Sequence, residues 1–170
     1  MIDTQYTRIM TRYNRWMNAT IYDACAKLSD AERKRDLGAF FKSIHGTLNH
    51  LLLTDTMWLK RFRSEPLNFV SLDQEVCADF ADLRAARLRT DEEIDAFIAT
   101  LNDARLRENF TYRTTLAPHV DRTVPIALVF MHMFNHQAHH RGQVTTLLKQ
   151  LGVDPGITDL PWMPGLDSLL

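Results

Sequence analysis

Apolar side chains recur at steps of three and four residues along most of this chain, which is the spacing of one face of a helix. Residues 3–28 and 37–63 each carry such a stripe, rich in aromatic and aliphatic side chains. A third stripe covers residues 73–101, and a fourth covers residues 124–151. The pattern predicts four long amphipathic helices at these positions.

Polar and helix-breaking residues predict where these helices begin and end. Three segments have the S/T-x-x-E/Q form of a capping box: Ser29 to Glu32, Ser71 to Gln74, and Thr90 to Glu93. They predict a short charged helix after Ser29, the start of the third long helix near Asp73, and a break or kink near Thr90. Pro66 and Gly152 follow the second and fourth helices, while Pro125 suits the first turn of the fourth.

The remaining segments have no helical period. Residues 102–122 contain several threonines and predict an ordered connection or a short hairpin. Residues 153–170 carry three prolines and two glycines, which predicts an irregular tail packed on the helices by Trp162 and Met163. Four long helices with mostly short links predict an all-α, four-helix-bundle fold, with one domain over residues 1–170.

Composition and charge exclude several functions. The net charge of −1 provides no basic surface for nucleic acid. No stretch of about 18 apolar residues predicts a membrane span, and the N-terminus lacks the apolar core of a secretory signal. Cys25 and Cys77 lack metal-binding spacing and predict free thiols in a reducing compartment. We therefore expect a cytoplasmic protein with no nucleic-acid or membrane partner.

Candidate chemistry is concentrated on the fourth helix, where four of the seven histidines fall within residues 132–140. With about 100° per residue and His136 at zero, the apolar stripe lies between roughly 20° and 80°. His136 and His140 lie at about 0° and 40°, whereas His132 and His139 lie near −40° and −60°. His136 and His140 are therefore predicted to be the more buried pair, and their i, i+4 spacing suits joint metal binding.

A third ligand must come from another part of the chain, where His45, His50 and His119 are the candidates. His45 and His50 lie about 140° apart around the second helix and both flank its apolar stripe, so periodicity does not choose between them. Asp55 points into that stripe and needs a partner. That partner is either the free N–H of a ligand histidine or an arginine on another helix.

Two separated motifs resemble the DinB family of damage-inducible, DinB/YfiT-like metalloenzymes. One is the segment from His50 to Trp58, HLLLTDTMW, and the other is the segment from Asn135 to Gln143, NHQAHHRGQ. The run DLRAAR at residues 82–87 and the order of the helices agree with the same family. The resemblance covers most of the chain.

The resemblance implies an antiparallel four-helix bundle, commonly a homodimer, that binds zinc or nickel through three histidines. On this sequence those ligands are His50, His136 and His140. His132 and His139 add imidazoles nearby, which leaves ligand exchange or a second weak site open. Within the same motif, Gly142 is interpreted as permitting close helix packing, and Arg141 and Gln143 as hydrogen-bonding residues. Phe130 and Phe134 are interpreted as either dimer or core contacts.

Three neutral histidines leave coordination positions open, as in catalytic metal sites. Such a metal lowers the pKa of bound water or binds a thiolate. Together with the resemblance, this predicts a metal-dependent enzyme that acts on a small molecule. It is either a hydrolase or an S-transferase, and the S-transferase would use a low-molecular-weight thiol. Asp55, Tyr112, His119 and His139 are the candidate acid–base groups. The alternative is a non-catalytic bundle that binds a metal or small ligand in stress response.

Overall fold

The protein is mostly helical, and the structure, a computed structural model, describes residues 2–115 and 118–170. Its elements in chain order are α1 (Thr4–Cys25), α2 (Asp30–Lys34), α3 (Ile44–Phe62), α4 (Phe80–Ala99), α5 (Asp103–Arg107), β1 (Asn109–Arg113), β2 (Asp121–Pro125) and α6 (Ile126–Gln150). Two single-turn 3₁₀ helices follow, at Leu160–Trp162 and Leu166–Leu169. The four predicted long helices are α1, α3, α4 and α6. Helix α1 packs against α4 and α6, and α3 packs against the same two helices.

Side-chain caps explain where several helices begin. Asp3 accepts a hydrogen bond from the Tyr6 amide at the start of α1. Ser29 and Glu32 form the predicted reciprocal capping box of α2. Helix α3 starts at Ile44, capped by Ser43, and not at residue 37 as the periodicity predicted. In the preceding segment Gly38 and Lys42 have positive φ, a conformation that interrupts a helix.

The prediction for the third helix was wrong at both of its capping boxes. Helix α4 begins at Phe80, where Asp79 accepts hydrogen bonds from two main-chain amides. Ser71 belongs to a turn in the α3–α4 loop, residues 63–79. The helix runs through Thr90 without a break, and the Thr90 hydroxyl donates to the carbonyl of Ala86 one turn earlier.

The short hairpin predicted between the third and fourth long helices is present. Strands β1 and β2 pair antiparallel, with Tyr112 opposite Arg122 and Phe110 opposite Val124. Pro125 ends β2 and lies just before α6, so it precedes the first helical turn. Gly152, with φ +75°, follows the C-terminal end of α6 as predicted.

The hydrophobic core consists of two clusters. The first contains mainly Met17, Ile21, Ile44, Leu48, Leu83, Val144 and Leu148. The second contains mainly Trp58, Ile94, Ile98, Leu106, Ile126, Phe130, Met133 and Phe134. Phe130 and Phe134 are therefore core residues of this chain. Because they are buried within it, they are not available to contact a second copy.

The structure also has a network of buried polar side chains. Along α3, α4 and α6, its residues stand between the residues of the first cluster and those of the second. Arg87 forms ion pairs with Asp55 at 2.7 Å and with Asp91 at 2.8 Å. Asn18 on α1 donates to Asp91, and Gln137 on α6 donates to Asp55. All four long helices therefore contribute to one network of buried polar side chains.

The C-terminal tail packs on the helices in part as predicted. Met163 is buried, whereas Trp162 is 67% exposed, so the prediction for Trp162 was wrong. The Tyr13 hydroxyl on α1 also holds the tail by donating to the carbonyl of Thr158.

Cys25 is buried, Cys77 is half-buried, and both are free thiols. Among the described residues, no helix has both the length and the apolar character that a membrane span requires.

Candidate metal centre

Three histidines from two helices meet at one point. His136 and His140 lie one turn apart on α6, and His50 reaches them from α3, which packs against α6. The Nε2 atom of His136 lies 3.1 Å from Nε2 of His50 and 3.1 Å from Nε2 of His140. One ring nitrogen from each of the three residues lies within 4.8 Å of the others. The helices thus bring together the three residues that the sequence singled out.

Hydrogen bonds fix the tautomers of two of these rings. Nδ1–H of His50 donates to the carbonyl of Leu72 at 2.7 Å. Nδ1–H of His140 donates to the side-chain oxygen of Gln143 at 2.7 Å. A carbonyl or amide oxygen accepts only, so both Nδ1 atoms carry the proton and both Nε2 atoms present a lone pair. Both lone pairs face the third histidine, His136.

This arrangement suits a cation better than it suits hydrogen bonds alone. A neutral His136 Nε2 donates at most one proton, so at least one of its two 3.1 Å contacts lacks a donated hydrogen. Nitrogens bound at 2.0–2.1 Å to a tetrahedral zinc ion lie about 3.3 Å apart. The observed spacing is close to that value, and outward Nδ1–H donors are typical of metal-binding histidines.

Burial keeps the three imidazoles neutral, as metal ligation requires. Burial, followed by the nearby imidazoles of His140 and His50, lowers the pKa of His136 to about 3. Burial also lowers the pKa of His140 to about 4, although its bond to Gln143 acts in the opposite direction. The pKa of His50 is likewise lowered, chiefly by burial.

The segment before α3 covers one side of the cluster. The ring of Phe41 stacks on His50 with centroids 3.9 Å apart and meets the edge of His140 at 5.5 Å. A Cβ at Gly46 would lie 2.3 Å from the main-chain oxygen of Phe41. Gly46 therefore allows the chain to approach α3 closely enough for Phe41 to reach His50. Sequence reasoning missed both residues, although a glycine inside a helical pattern is a signal of close approach.

A buried asparagine positions the loop that holds His50. Oδ1 of Asn49 accepts from the amides of Val76 and Cys77, and its Nδ2 donates to the Cys77 carbonyl. These bonds attach the α3–α4 loop, which also carries Leu72, to the helix of His50. Asn49 was not a sequence candidate, because a single asparagine in a helix has no distinctive pattern.

The other histidines lie outside the three-nitrogen cluster. His45 is buried and its Nε2 donates to the carbonyl of Cys77, on a different side of α3 from His50. His119 is exposed near the hairpin and bonds to the Thr114 carbonyl. His132 and His139 are exposed, as the helical angles predicted. His132 packs edge-on to Trp58, and His139 accepts from Gln143.

The remaining motif residues have mixed outcomes. Asp55 pairs with Arg87 on α4, so the arginine alternative was right, and no histidine N–H in the part of the chain that the structure describes donates to Asp55. Arg141 donates to Gln137, and Gln143 bonds to His140, which confirms both as hydrogen-bonding residues. The interpretation of Gly142 was wrong, because it is exposed and an added Cβ would meet open space.

Two cavities open onto the histidine cluster. The larger, of about 960 Å³, is lined by His50, His139, His140 and Gln143 and by apolar side chains that include Phe40, Phe41, Phe69 and Val70. The smaller, of about 470 Å³, is lined by His50, His132 and His136 and by Trp58, Arg61, Tyr112 and Arg122. Since His50 lines both cavities, a small molecule in either one reaches the cluster.

Fold and site together define a mostly helical protein whose cluster of three histidines is compatible with metal binding. The sequence matches the model of the DinB family over residues 1–167, so the chain belongs to the DinB family.

Individual relatives agree with this assignment. The chain is 24% identical to Protein DinB of Bacillus subtilis (strain 168) over 153 residues, which cover 86% of this chain and 87% of that protein. Its fold is similar to the crystal structure of a DinB-like protein from Bacillus cereus ATCC 10987. That match has a TM-score of 0.58 and 19% identity, and it covers 83% of this chain and 90% of the other.

Proposed function

We propose that His50, His136 and His140 bind one divalent metal ion, zinc or nickel, and that the protein is a metal-dependent enzyme acting on a small molecule. The observation that carries this proposal is the convergence of the three Nε2 atoms, two of them with lone pairs fixed by the hydrogen bonds that Nδ1–H of the same ring donates. When bound, such an ion supplies a Lewis acid with open positions for water or a thiolate.

The surrounding side chains support an enzyme that transfers a group to or from a thiol, or that hydrolyses its substrate. Phe41 covers His50 and His140 on one side, which limits the access of water. Tyr112 lines the smaller cavity and His139 the larger, so these two of the predicted acid–base groups lie where a substrate would bind. Asp55 is held in the ion-pair network, and His119 lines neither cavity.

Metal analysis of purified variants tests the proposed site. Wild-type protein dialysed against zinc should hold about one ion per chain. His136→Ala, His140→Ala and His50→Ala should each lose at least nine-tenths of it, because two imidazoles hold zinc far more weakly than three. Elemental analysis by mass spectrometry, with competition against a chromophoric chelator, gives stoichiometry and affinity.

His139→Ala and His45→Ala are the matched controls. Both remove an imidazole from the same helices that supplies no nitrogen to the three-nitrogen cluster, so zinc content should remain near the wild-type level. Full zinc retention in His136→Ala or His140→Ala, with native circular dichroism, would rule out the assignment. Zinc binding without turnover, across a panel of thiols and electrophiles, would favour a non-catalytic role.

The contacts of the long helices also support the predicted antiparallel four-helix bundle, since α1 and α3 each pack against both α4 and α6. Homodimerisation and a cytoplasmic location remain predictions. Sedimentation velocity at several protein concentrations tests the first of them, with a dimer mass expected and a constant monomer mass contradicting it.

A further inference from the structure

The smaller cavity is positively charged. Arg61 on α3 and Arg122 on β2 line it together with His50, His132 and His136. Among the described residues, no aspartate or glutamate lines this cavity, whereas the larger cavity has both Lys42 and Asp73. The two cavities that meet at the histidine cluster therefore differ in electrostatic character.

Arg61 is held in place by aromatic rings. Its guanidinium lies 4.5 Å from the ring centre of Trp58 and 4.9 Å from that of Tyr112. One of its N–H groups donates to the carbonyl of Arg113 at 2.9 Å. A guanidinium has five N–H donors, so this bond leaves donors for a ligand.

Neither arginine of this cavity has an ion pair within residues 2–115 and 118–170. Arg61 is half-buried, whereas Arg122 is exposed like its neighbours Arg63 and Arg113, which pair with Glu93 at 2.7 Å and with Asp121 at 3.4 Å. The charge of Arg61 is partly removed from water, and this burial lowers the pKa of its guanidinium. Partial burial of a cation that has no carboxylate partner costs free energy. An anion bound beside Arg61 would offset that cost through charge-assisted hydrogen bonds.

We propose that the smaller cavity binds the anionic group of a small ligand, a carboxylate or a phosphate, through Arg61 and Arg122. The planar guanidinium fork suits either group. A cavity of about 470 Å³ is large enough for a small organic molecule. His50 and His136 line the same cavity, so the other end of the ligand reaches the histidine cluster. The contact between the ligand and the histidine cluster rests on the proposed metal function. Anion binding by the two arginines does not depend on it.

Two thiols that differ in charge test the proposal. Isothermal titration of zinc-loaded protein with 3-mercaptopropionate and with 2-mercaptoethanol compares a carboxylate with a neutral hydroxyl on a similar two-carbon chain. We expect 3-mercaptopropionate to bind about tenfold tighter or more, in line with a charged hydrogen bond. Titration of metal-free protein with inorganic phosphate and, separately, with propionate tests anion binding without zinc and distinguishes phosphate from carboxylate.

Arginine variants locate the anion. Arg61→Gln and Arg122→Gln should each reduce the preference for 3-mercaptopropionate, and the double variant should abolish it and weaken phosphate binding. Arg61→Lys keeps the charge and should retain part of the preference. Arg63→Gln and Arg113→Gln, which remove neighbouring charges outside the cavity, should leave it unchanged. Circular dichroism and thermal melting show which variants are folded.

The outcomes separate this inference from the proposed function. Equal affinity for the two thiols, or a preference that survives in the folded double variant, would overturn the anion site while leaving zinc binding intact. Absence of zinc binding at the histidines would overturn the proposed function. In that case, phosphate or propionate binding that depends on Arg61 and Arg122 would still support the anion site, and the absence of both would overturn it.

Discussion

At the scale of single residues, the ring nitrogens of the cluster are held in positions that favour neutral imidazole. His136 has two imidazole neighbours at 3.1 Å, and both are fixed with lone pairs toward it. Protonation of any one ring places a positive charge in a half-buried site beside two further imidazoles. The metal-free protein should therefore depend on pH in a way that can be traced to these residues.

The stability of the metal-free protein should fall as pH decreases from about 6.5 toward 4. Histidines ionise near 6.5 in the unfolded chain but near 3 and 4 for His136 and His140 in the fold, so the unfolded state binds more protons across this window. Stability is therefore fully present above pH 6.5 and is lost as pH falls. Urea unfolding in the presence of a chelator measures the change.

His136→Asn is the comparison for this prediction. The variant removes the imidazole with the most strongly lowered pKa, so its stability should change less between pH 6.5 and 4 than that of wild type. Carboxylates that titrate in the same range are common to both proteins and cancel in the comparison. Equal slopes for the two proteins would contradict the prediction.

Gly46 and Gly142 form a matched pair of glycines within helices. Gly46→Ala should destabilise the protein by about 1–3 kcal/mol, because the new methyl group meets the main-chain oxygen of Phe41 at 2.3 Å. It should also weaken zinc binding, since Phe41 stacks on His50. Urea unfolding and chelator competition measure the two effects.

Gly142→Ala is the control for this substitution. Gly142 is exposed on α6 with open space around it, so alanine should stabilise the helix by about 0.5–1 kcal/mol. Zinc affinity should stay at the wild-type value. A neutral effect of Gly46→Ala on both stability and zinc affinity would show that the close approach of Phe41 is dispensable.

At the scale of elements, the long helices were predicted from periodicity, but several of their boundaries were not. Residues 37–43 and 73–79 carry apolar residues on a helical spacing, yet both segments are irregular. Positive φ at Lys42 prevents residues 37–43 from continuing α3 toward the N-terminus. The amides of Val76 and Cys77 donate to Asn49, and these bonds hold residues 73–79 in a non-helical conformation. The bonds to Asn49 join residues 27 and 28 positions apart in the chain, so a local pattern does not contain them.

Asn49→Ala should destabilise the α3–α4 loop and the site together. The variant leaves the amides of Val76 and Cys77 without their acceptor, at a cost of about 2–3 kcal/mol. The loop also supplies the Leu72 carbonyl that orients His50, so zinc affinity should fall as well. Urea unfolding measures the cost, and hydrogen exchange at residues 76 and 77 locates it.

Asn68→Ala, in the same loop, provides the reference for Asn49→Ala. Asn68 is exposed, so its removal should change the free energy of unfolding by less than about 0.5 kcal/mol. Zinc affinity and hydrogen exchange should match wild type. An Asn49→Ala protein that behaves like Asn68→Ala would show that the loop is held by its other contacts.

At the scale of the whole molecule, the buried polar network connects all four long helices next to the histidine cluster. It includes two arginines, Arg87 and Arg141, and two aspartates, Asp55 and Asp91, so its charges balance. Gln137 and Arg141 each lie directly beside one of the two α6 histidines of the cluster. The network therefore fixes the position of α6 relative to the other helices, and with it the position of His136 and His140.

A double-mutant cycle should show strong coupling between Asp55 and Arg87. Removal of either partner alone leaves a buried charge and should cost about 3–5 kcal/mol, whereas the double variant should cost clearly less than the sum. Urea unfolding of Asp55→Ala, Arg87→Ala and the double variant gives the coupling free energy.

The pair Arg63 and Glu93 is a suitable reference for this cycle. It also joins the end of α3 to α4, at 2.7 Å, but its side chains are 37% and 50% exposed. The same cycle on this pair should give a coupling of no more than about 1 kcal/mol. Similar coupling in the two cycles would contradict a special role for the buried network.

The sequence by itself determined the helical class, the four long helices and the choice of His136 and His140 over His132 and His139. These follow from the angle that each residue takes around its own helix, which is a local property. Periodicity left His45 and His50 both open, and the family resemblance selected His50. The tertiary structure decided that His50 meets this pair, that Leu72 fixes the tautomer of His50, and that Arg87 neutralises Asp55. Each of these contacts joins separate elements, and helix packing sets them in a way that periodicity within one helix does not specify.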